Sequence, residues 1–247
     1  MNEMMKLGHR PSPDWSKSPS EALRQYFDKM LHVLGPQDWW PARTRLEVIV
    51  GAILVQNTAW QNAALALKQL KQSGLLTLPG LRSASRSKLE ACARPAGYFR
   101  QKARTIQNFL AWLESECQGS LAVMFRLPAA ELRRRLLEIH GLGPETVDAI
   151  LLYAGRHPVF VADNYTRRIL ARHEMVPPRA DYDEVQRFLH RHLPADHTLF
   201  NEYHALLVEV GKQYCKRQVA LCGECPLEQF LPRGEPPRLS PDALSAG

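Results

Sequence analysis

Nowhere in its 247 residues does the chain hold eighteen consecutive apolar residues, which excludes a hydrophobic helix long enough to cross a bilayer. The opening residues, with Lys6, His9, Arg10, Asp14 and several prolines, lack the apolar stretch of a signal peptide. The expectation is therefore a soluble, cytoplasmic protein. Cysteine is scarce, and three of the five cysteines fall between positions 215 and 225. That is not the distribution of a disulfide-stapled secreted domain, and in a reducing compartment such clustering points to a metal. Strand signals are nearly missing. Val159 to Ala162 is a single short apolar run, too solitary for a sheet, and no fixed-period repeat suggests a solenoid.

What remains is helical. A hydrophobic content of 45% with 23% charged residues is enough to bury a substantial core in one large or two small domains. Residues 1 to about 20 are rich in Ser and Pro and are expected to be disordered. Order begins near Ser20, a plausible N-cap. From there Ala22, Leu23, Tyr26, Phe27, Met30, Leu31 and Leu34 form an apolar helical stripe closed by Gly35-Pro36. Residues 46 to 71 read as two helices around a polar break at Gln56-Asn57-Thr58. Further helices are expected near 85–93, 100–117, 129–139, 144–154, 164–173, 181–192 and 200–214. The fold class is all-α, with a loose Pro/Arg-rich tail from Pro232. A net charge of +7 and a sequence pI of about 9.3 fit a polyanionic partner but do not require one.

The most informative stretch runs from Glu138 to Asp163. Gly141 and Gly143 bracket a tight turn, Pro144 suits a first helical position, and Val147, Ile150, Leu151 and Ala154 recur at helical spacing up to Gly155. Arg133, Arg134 and Arg135 flank the preceding helix. Helix, hairpin and helix then present free N–H groups to a phosphate oxygen, although an ordinary helix connection has the same outline. Asp163 follows the Val159–Ala162 run and precedes a helix, so it reads as an N-cap. A capped carboxylate is also ionised and fixed, as a catalytic anion needs to be.

The hairpin, Asp163, the Gln56-Asn57-Thr58 break and Cys215-x(6)-Cys222-x(2)-Cys225 stand in the order found in DNA glycosylases of the endonuclease III type, the helix–hairpin–helix superfamily, which this sequence resembles over roughly residues 22–231. The resemblance implies two helical lobes with a DNA-binding cleft between them. One is a barrel at about 37–157 and the other combines 21–36 with 158–231, flanked by disordered 1–20 and flexible 232–247. It implies that Asp163 is catalytic: breaking an N-glycosidic bond gives the sugar oxocarbenium character, which an adjacent anion stabilises. Glu145 takes the place of the lysine with which bifunctional members form a Schiff base. A carboxylate cannot form an imine, which implies a monofunctional enzyme using water, with Glu145 either in the site or simply a first-turn acid.

Within the superfamily the chain is most similar to the 3-methyladenine glycosylases, through Trp39-Trp40-Pro41, Gly97 to Ala103, Gly143-Pro144-Glu145-Thr146 and Asn201-Glu202-Tyr203-His204-Ala205. Ala52 stands where mismatch adenine glycosylases have a catalytic Glu. Trp39, Trp40 and Trp60 are either core residues or a pocket that sandwiches a flipped, cationic base such as an alkylated purine. Gln56 is a polar turn residue or fills the gap left by the extruded nucleotide. Gly141, Leu142 and Gly143 would touch DNA, and Lys212 either reaches a phosphate or is a solvated helix end. The family's [4Fe–4S] loop matches at Cys215, Cys222 and Cys225, but Leu231 stands at its fourth ligand and no Cys or His follows. The cluster is then three-coordinate, borrows a ligand, or is lost. The expected partner is double-stranded damaged DNA, bound by a nucleoid-associated monomer in base excision repair. A glycosylase/lyase acting on oxidised pyrimidines, or a non-catalytic damaged-DNA-binding module, are the alternatives.

Overall fold

Short polar side chains decide where the helices start. Ser18, Thr44, Thr77, Ser85, Ser120, Asp163 and Asp181 each accept the amide N–H of the residue three positions on, at 2.7–3.3 Å. Each such cap is worth about 1 kcal/mol. The computed structural model describes residues 18–232, in which the helices are α1 (Pro19–Leu34), α2 (Arg45–Leu54), α3 (Trp60–Gln72), α4 (Leu78–Ser83), α5 (Arg86–Ala93), α6 (Phe99–Cys117), α7 (Leu121–Met124), α8 (Ala129–Leu137), α9 (Pro144–Ala149), α10 (Asn164–Arg172), α11 (Tyr182–His192) and α12 (His197–Gln213). A single π turn, Ile150–Ala154, carries α9 on to Gly155. Among the described residues no strands pair into a sheet, apart from one isolated bridge between Cys215 and Ala220. No helix there is long and apolar enough to cross a membrane.

The chain divides into two compact units. One comprises Asp38–Val161 with Ala195–Asn201. Its centre is α2, where Leu46 and all of Val48 to Leu54 are buried; a helix apolar on every side must be surrounded. The long α6 lays Ala103, Ile106, Phe109, Leu110, Leu113 and Cys117 along one buried face. Within it, the Lys102 side chain is only 2% exposed and donates to the carbonyls of Leu54 (2.9 Å) and Ala96 (2.7 Å). Its ammonium thus caps the end of α2, and burial pulls its pKa down.

The other unit comprises, among the described residues, 18–37, Ala162–Pro194 and 202–232. Leu23, Tyr26 and Met30 of α1 form its core with Ile169 and Leu170 of α10, Val185 and Leu189 of α11, and Tyr203, Leu206 and Val210 of α12. The two buried phenols are satisfied: Tyr203 donates to the Leu23 carbonyl at 2.7 Å, and Tyr26 bonds His173 Nδ1 at 2.8 Å.

Several boundaries depart from expectation. The N-cap expected at Ser20 falls two residues earlier, at Ser18, and Pro19 takes the first helical position. Order therefore reaches back into the segment expected to be disordered; residues 1–17 and 233–247, including nearly all of the expected tail, lie outside the described residues. Val159–Ala162 is buried but forms no strand. The short helices α4 and α7 have no counterpart in the sequence reading, since four to six residues hold too little periodicity to register.

Buried His173 makes the second unit acid-sensitive. Burial, with the Arg172 charge assisting, brings its pKa down to about 4 from the ordinary value of 6.5. Between those values the unfolded chain binds a proton that the folded one refuses, so stability is complete above about pH 6.5 and declines as pH falls toward 4. Chemical denaturation from pH 8 to 4 should show this decline, and His173→Phe should flatten it. An unchanged slope in the variant would contradict the assignment.

Candidate active site and nucleic-acid hairpin

The hairpin between α8 and α9 is held from several directions. Gly141 has φ +100°, and a Cβ there would overlap Thr105 Oγ1, so glycine is required both by conformation and by space. Asn108 donates to the His140 carbonyl at 2.9 Å. Gln56 Nε2 donates to the Gly141 carbonyl (3.0 Å) and to Thr146 Oγ1 (2.9 Å), joining the turn after α2 to both sides of the hairpin. Behind it, Arg133 grips the wholly buried Asp148 in a fork, Nε to Oδ1 at 2.7 Å and the second arm to Oδ2 at 3.1 Å. Leu142 is 6% exposed and its N–H goes to Ile139, so its side chain packs inward and a contact from this position runs through the backbone. A Cβ on Gly143 would meet nothing within 4 Å. The backbone at the start of α9 is thereby open to a ligand, with the helix dipole behind it. Glu145 is exposed in that first turn.

The three tryptophans come together. Trp39 and Trp60 have ring centroids 5.0 Å apart at 67°, Trp40 and Trp60 5.0 Å at 86°, and Trp39 and Trp40 5.3 Å at 48°. Tyr153 extends the group, 5.3 Å from Trp40. All are half-buried. The rings meet at steep angles, so a parallel slot between them, the arrangement implied by a sandwich, is not what they form; a base would stack on a face of the cluster. Gly51 makes room for it, since a Cβ there would stand 3.1 Å from Trp40 Cζ2. Trp40 Nε1 is buried without a hydrogen-bond partner, a donor available to an acceptor.

Tyr98 escapes the sequence reading as a site residue. It is 69% exposed, in the left-handed region (φ 44°) at the cap of α6, and the guanidinium groups of Arg94 and Arg100 lie 5.1 and 5.5 Å from the neighbouring Phe99 ring. An aromatic between glycine and basic residues is the signal that could have marked it.

In the other unit, Asp163 caps α10 through Oδ1, which accepts the Thr166 N–H at 2.8 Å. Its Oδ2 stands 3.6 Å from His204 Nε2. Burial opposes its charge, but the neighbouring His204 imidazole, with the Thr166 amide, outweighs it and holds the carboxyl below the usual carboxylate range. Lys212 is half exposed and paired with Glu209 at 2.9 Å, the arrangement of a solvated helix end.

Cys215, Cys222 and Cys225 border one small cavity with Arg172, His173, Leu227 and Leu231. Arg172 reaches Cys215 Sγ at 3.1 Å and the carbonyls of Lys216 and Arg217 at 2.7 and 3.1 Å. Burial raises the Cys222 thiol and pushes Cys225 up to about 12. Leu231, 4% exposed, occupies the fourth ligand position. Among the described residues no three His, Cys, Asp or Glu side chains are grouped to hold a metal ion. Three thiols and a leucine do not fit a four-thiolate cluster.

Residues 50–195 match the model of a family described as HhH-GPD superfamily base excision DNA repair protein. A Methanocaldococcus jannaschii protein assigned as a DNA repair glycosylase is 39% identical over 212 residues, 85% of this chain and 96% of that one. Endonuclease III of Sulfolobus acidocaldarius is 25% identical, covering 76% of this chain and 82% of that one. Among solved structures, endonuclease III in a non-covalent complex with DNA matches with a TM-score of 0.74 at 21% identity, over 88% of this chain and 97% of that one. The Helicobacter pylori 3-methyladenine DNA glycosylase bound to 1,N6-ethenoadenine matches with a TM-score of 0.66 at 26% identity, over 78% and 95%.

Arg133→Met leaves the Asp148 carboxylate buried without its guanidinium. Loss of one partner of a buried pair costs about 3 kcal/mol, which should lower the melting temperature by roughly 6–12 °C in a domain of this size. A change under about 2 °C by calorimetry would mean that the pair is not what braces the hairpin.

Proposed function

The chain belongs to the HhH-GPD superfamily of base excision DNA repair proteins and is a DNA glycosylase, and from that premise we propose that it is monofunctional: it hydrolyses the N-glycosidic bond of an alkylated purine such as 3-methyladenine in duplex DNA, without a covalent intermediate, and leaves an abasic site. The observation that carries this reading is Asp163, a buried carboxylate held ionised and immobile at the start of α10. As the base departs with the bonding electrons, positive charge grows on C1′ and the ring oxygen. The Asp163 anion stabilises that charge, water adds to C1′, and its proton is lost to solvent. An alkylated purine is cationic in the nucleoside and leaves as a neutral base, so protonation of the leaving group is not needed.

Glu145 supports the hydrolytic route, since the position that would carry a nucleophilic amine holds a carboxylate. The electron-rich faces of Trp39, Trp40 and Trp60 suit a cationic base. The similar Helicobacter protein is named for 3-methyladenine, in accord with that choice. In this reading the open backbone at Gly143, at the start of α9, takes a phosphate. Gln56 exchanges its hairpin bonds for the gap left by the extruded nucleotide, and exposed Tyr98 meets the duplex from the start of α6.

Two measurements test the proposal. Mass spectrometry of bases freed from methylated duplex DNA should find 3-methyladenine, and release confined to oxidised pyrimidines would overturn the substrate class. Borohydride added during turnover should trap no protein–DNA adduct; abundant trapping would replace the water mechanism by an imine.

A further inference from the structure

We infer that His204 is a positioning residue for Asp163, aiming Oδ2 and keeping the carboxylate ready for the sugar; this rests on the reading of Asp163 as the group that acts at C1′. The two carboxylate oxygens have different partners. Oδ1 is committed to the Thr166 amide, while Oδ2 faces His204 Nε2 at 3.6 Å. His204 lies on α12 and is 7% exposed, between buried Tyr203 and Ala205. Tyr203 is tied to the Leu23 carbonyl, so the turn that carries the imidazole is anchored in the core.

Capping alone does not call for this histidine. Asp181 caps α11 with equivalent local geometry, accepting the Glu184 amide at 2.7 Å, but stands exposed, with the Glu184 side chain returning to its own N–H. Asp163 makes the same cap in a buried setting, where burial disfavours the anion. The charged groups on the elements packed around it are engaged elsewhere. Arg167 reaches the Ala180 carbonyl, and Arg168 those of Gly211 and Cys215. On α12, Lys212 pairs with Glu209, and at the far end of α10 His173 bonds Tyr26. His204 is the ionisable side chain that bears on Asp163.

Without the imidazole, burial would be opposed by the Thr166 contacts alone, and the carboxyl would keep its proton to a higher pH. An amide of similar reach could still donate to Oδ2. The test is single-turnover release of base from methylated DNA between pH 5 and 9 by the parent, His204→Leu, His204→Gln and Asp163→Asn proteins, with folding checked by circular dichroism. His204→Leu should move the acid limb of the profile upward by about one pH unit or more, with DNA affinity retained, and His204→Gln should restore most of the parental profile. A merely structural role would lower the rate at every pH without moving the limb. His204 has no positioning role if the limb stays in place in folded His204→Leu, or if both variants lose rate uniformly. Should His204→Leu fail to fold, His204→Gln decides alone: a parental profile supports the amide as a substitute, and uniform loss refutes it. Asp163→Asn separates the two levels: parental activity there removes Asp163 from the chemistry, whereas an inactive Asp163→Asn beside an unshifted His204→Leu removes only His204.

Discussion

A carboxylate kept charged where burial favours its neutral form is the constraint on which the rest of this molecule turns. Asp163 sits at the first turn of α10, and its ionisation depends on groups that only a folded unit can deliver: a backbone amide from its own helix and, 3.6 Å away, an imidazole from α12. The N-cap explains why the side chain points where it does. The histidine explains why a charge survives there. In the proposed mechanism, an anion fixed before substrate arrives needs little reorganisation as positive charge develops on the sugar. The two arginines nearest in sequence, Arg167 and Arg168, are both turned to backbone carbonyls, so the field at Asp163 is not neutralised by them.

In the proposed reading the hairpin answers a different requirement, which is to offer backbone to DNA without collapsing. Its stiffness comes from contacts on every side except the one left open. Thr105 abuts Gly141, Asn108 and Gln56 hold the carbonyls of the turn, and the fork of Arg133 onto Asp148 joins α8 to α9. Gly143 alone faces open space. The cysteine loop has a spacing that resembles a cluster-binding segment, while Leu231 and the Arg172 ties pack it as a small core.

Much of the fold is legible in the sequence because its helices announce themselves twice, by a polar cap in front and by apolar spacing behind; α1, α2, α10 and α11 are of this kind. Helices of a turn or so, such as α4 and α7, lack the second signal. The hinge glycines and Asp163 are visible because glycine and a capping acid are demanded by local geometry. What escapes is whatever tertiary packing decides. Nothing near Gln56 reveals that its amide spans to Gly141 and Thr146, and nothing near His204 reveals that it meets Asp163. The tryptophans are foreseeable as a group through their resemblance to a base pocket, but the steep angles between their rings are not.

The central claim is that the Asp163 anion, and no covalent bond to the protein, carries base release. Single-turnover release by Asp163→Asn, set beside its affinity for the same duplex, tests it most directly. The account predicts affinity close to that of the parent and a rate reduced by about two to three orders of magnitude, the loss typical when a group stabilising transition-state charge is removed. Release at the parental rate with affinity intact would contradict it.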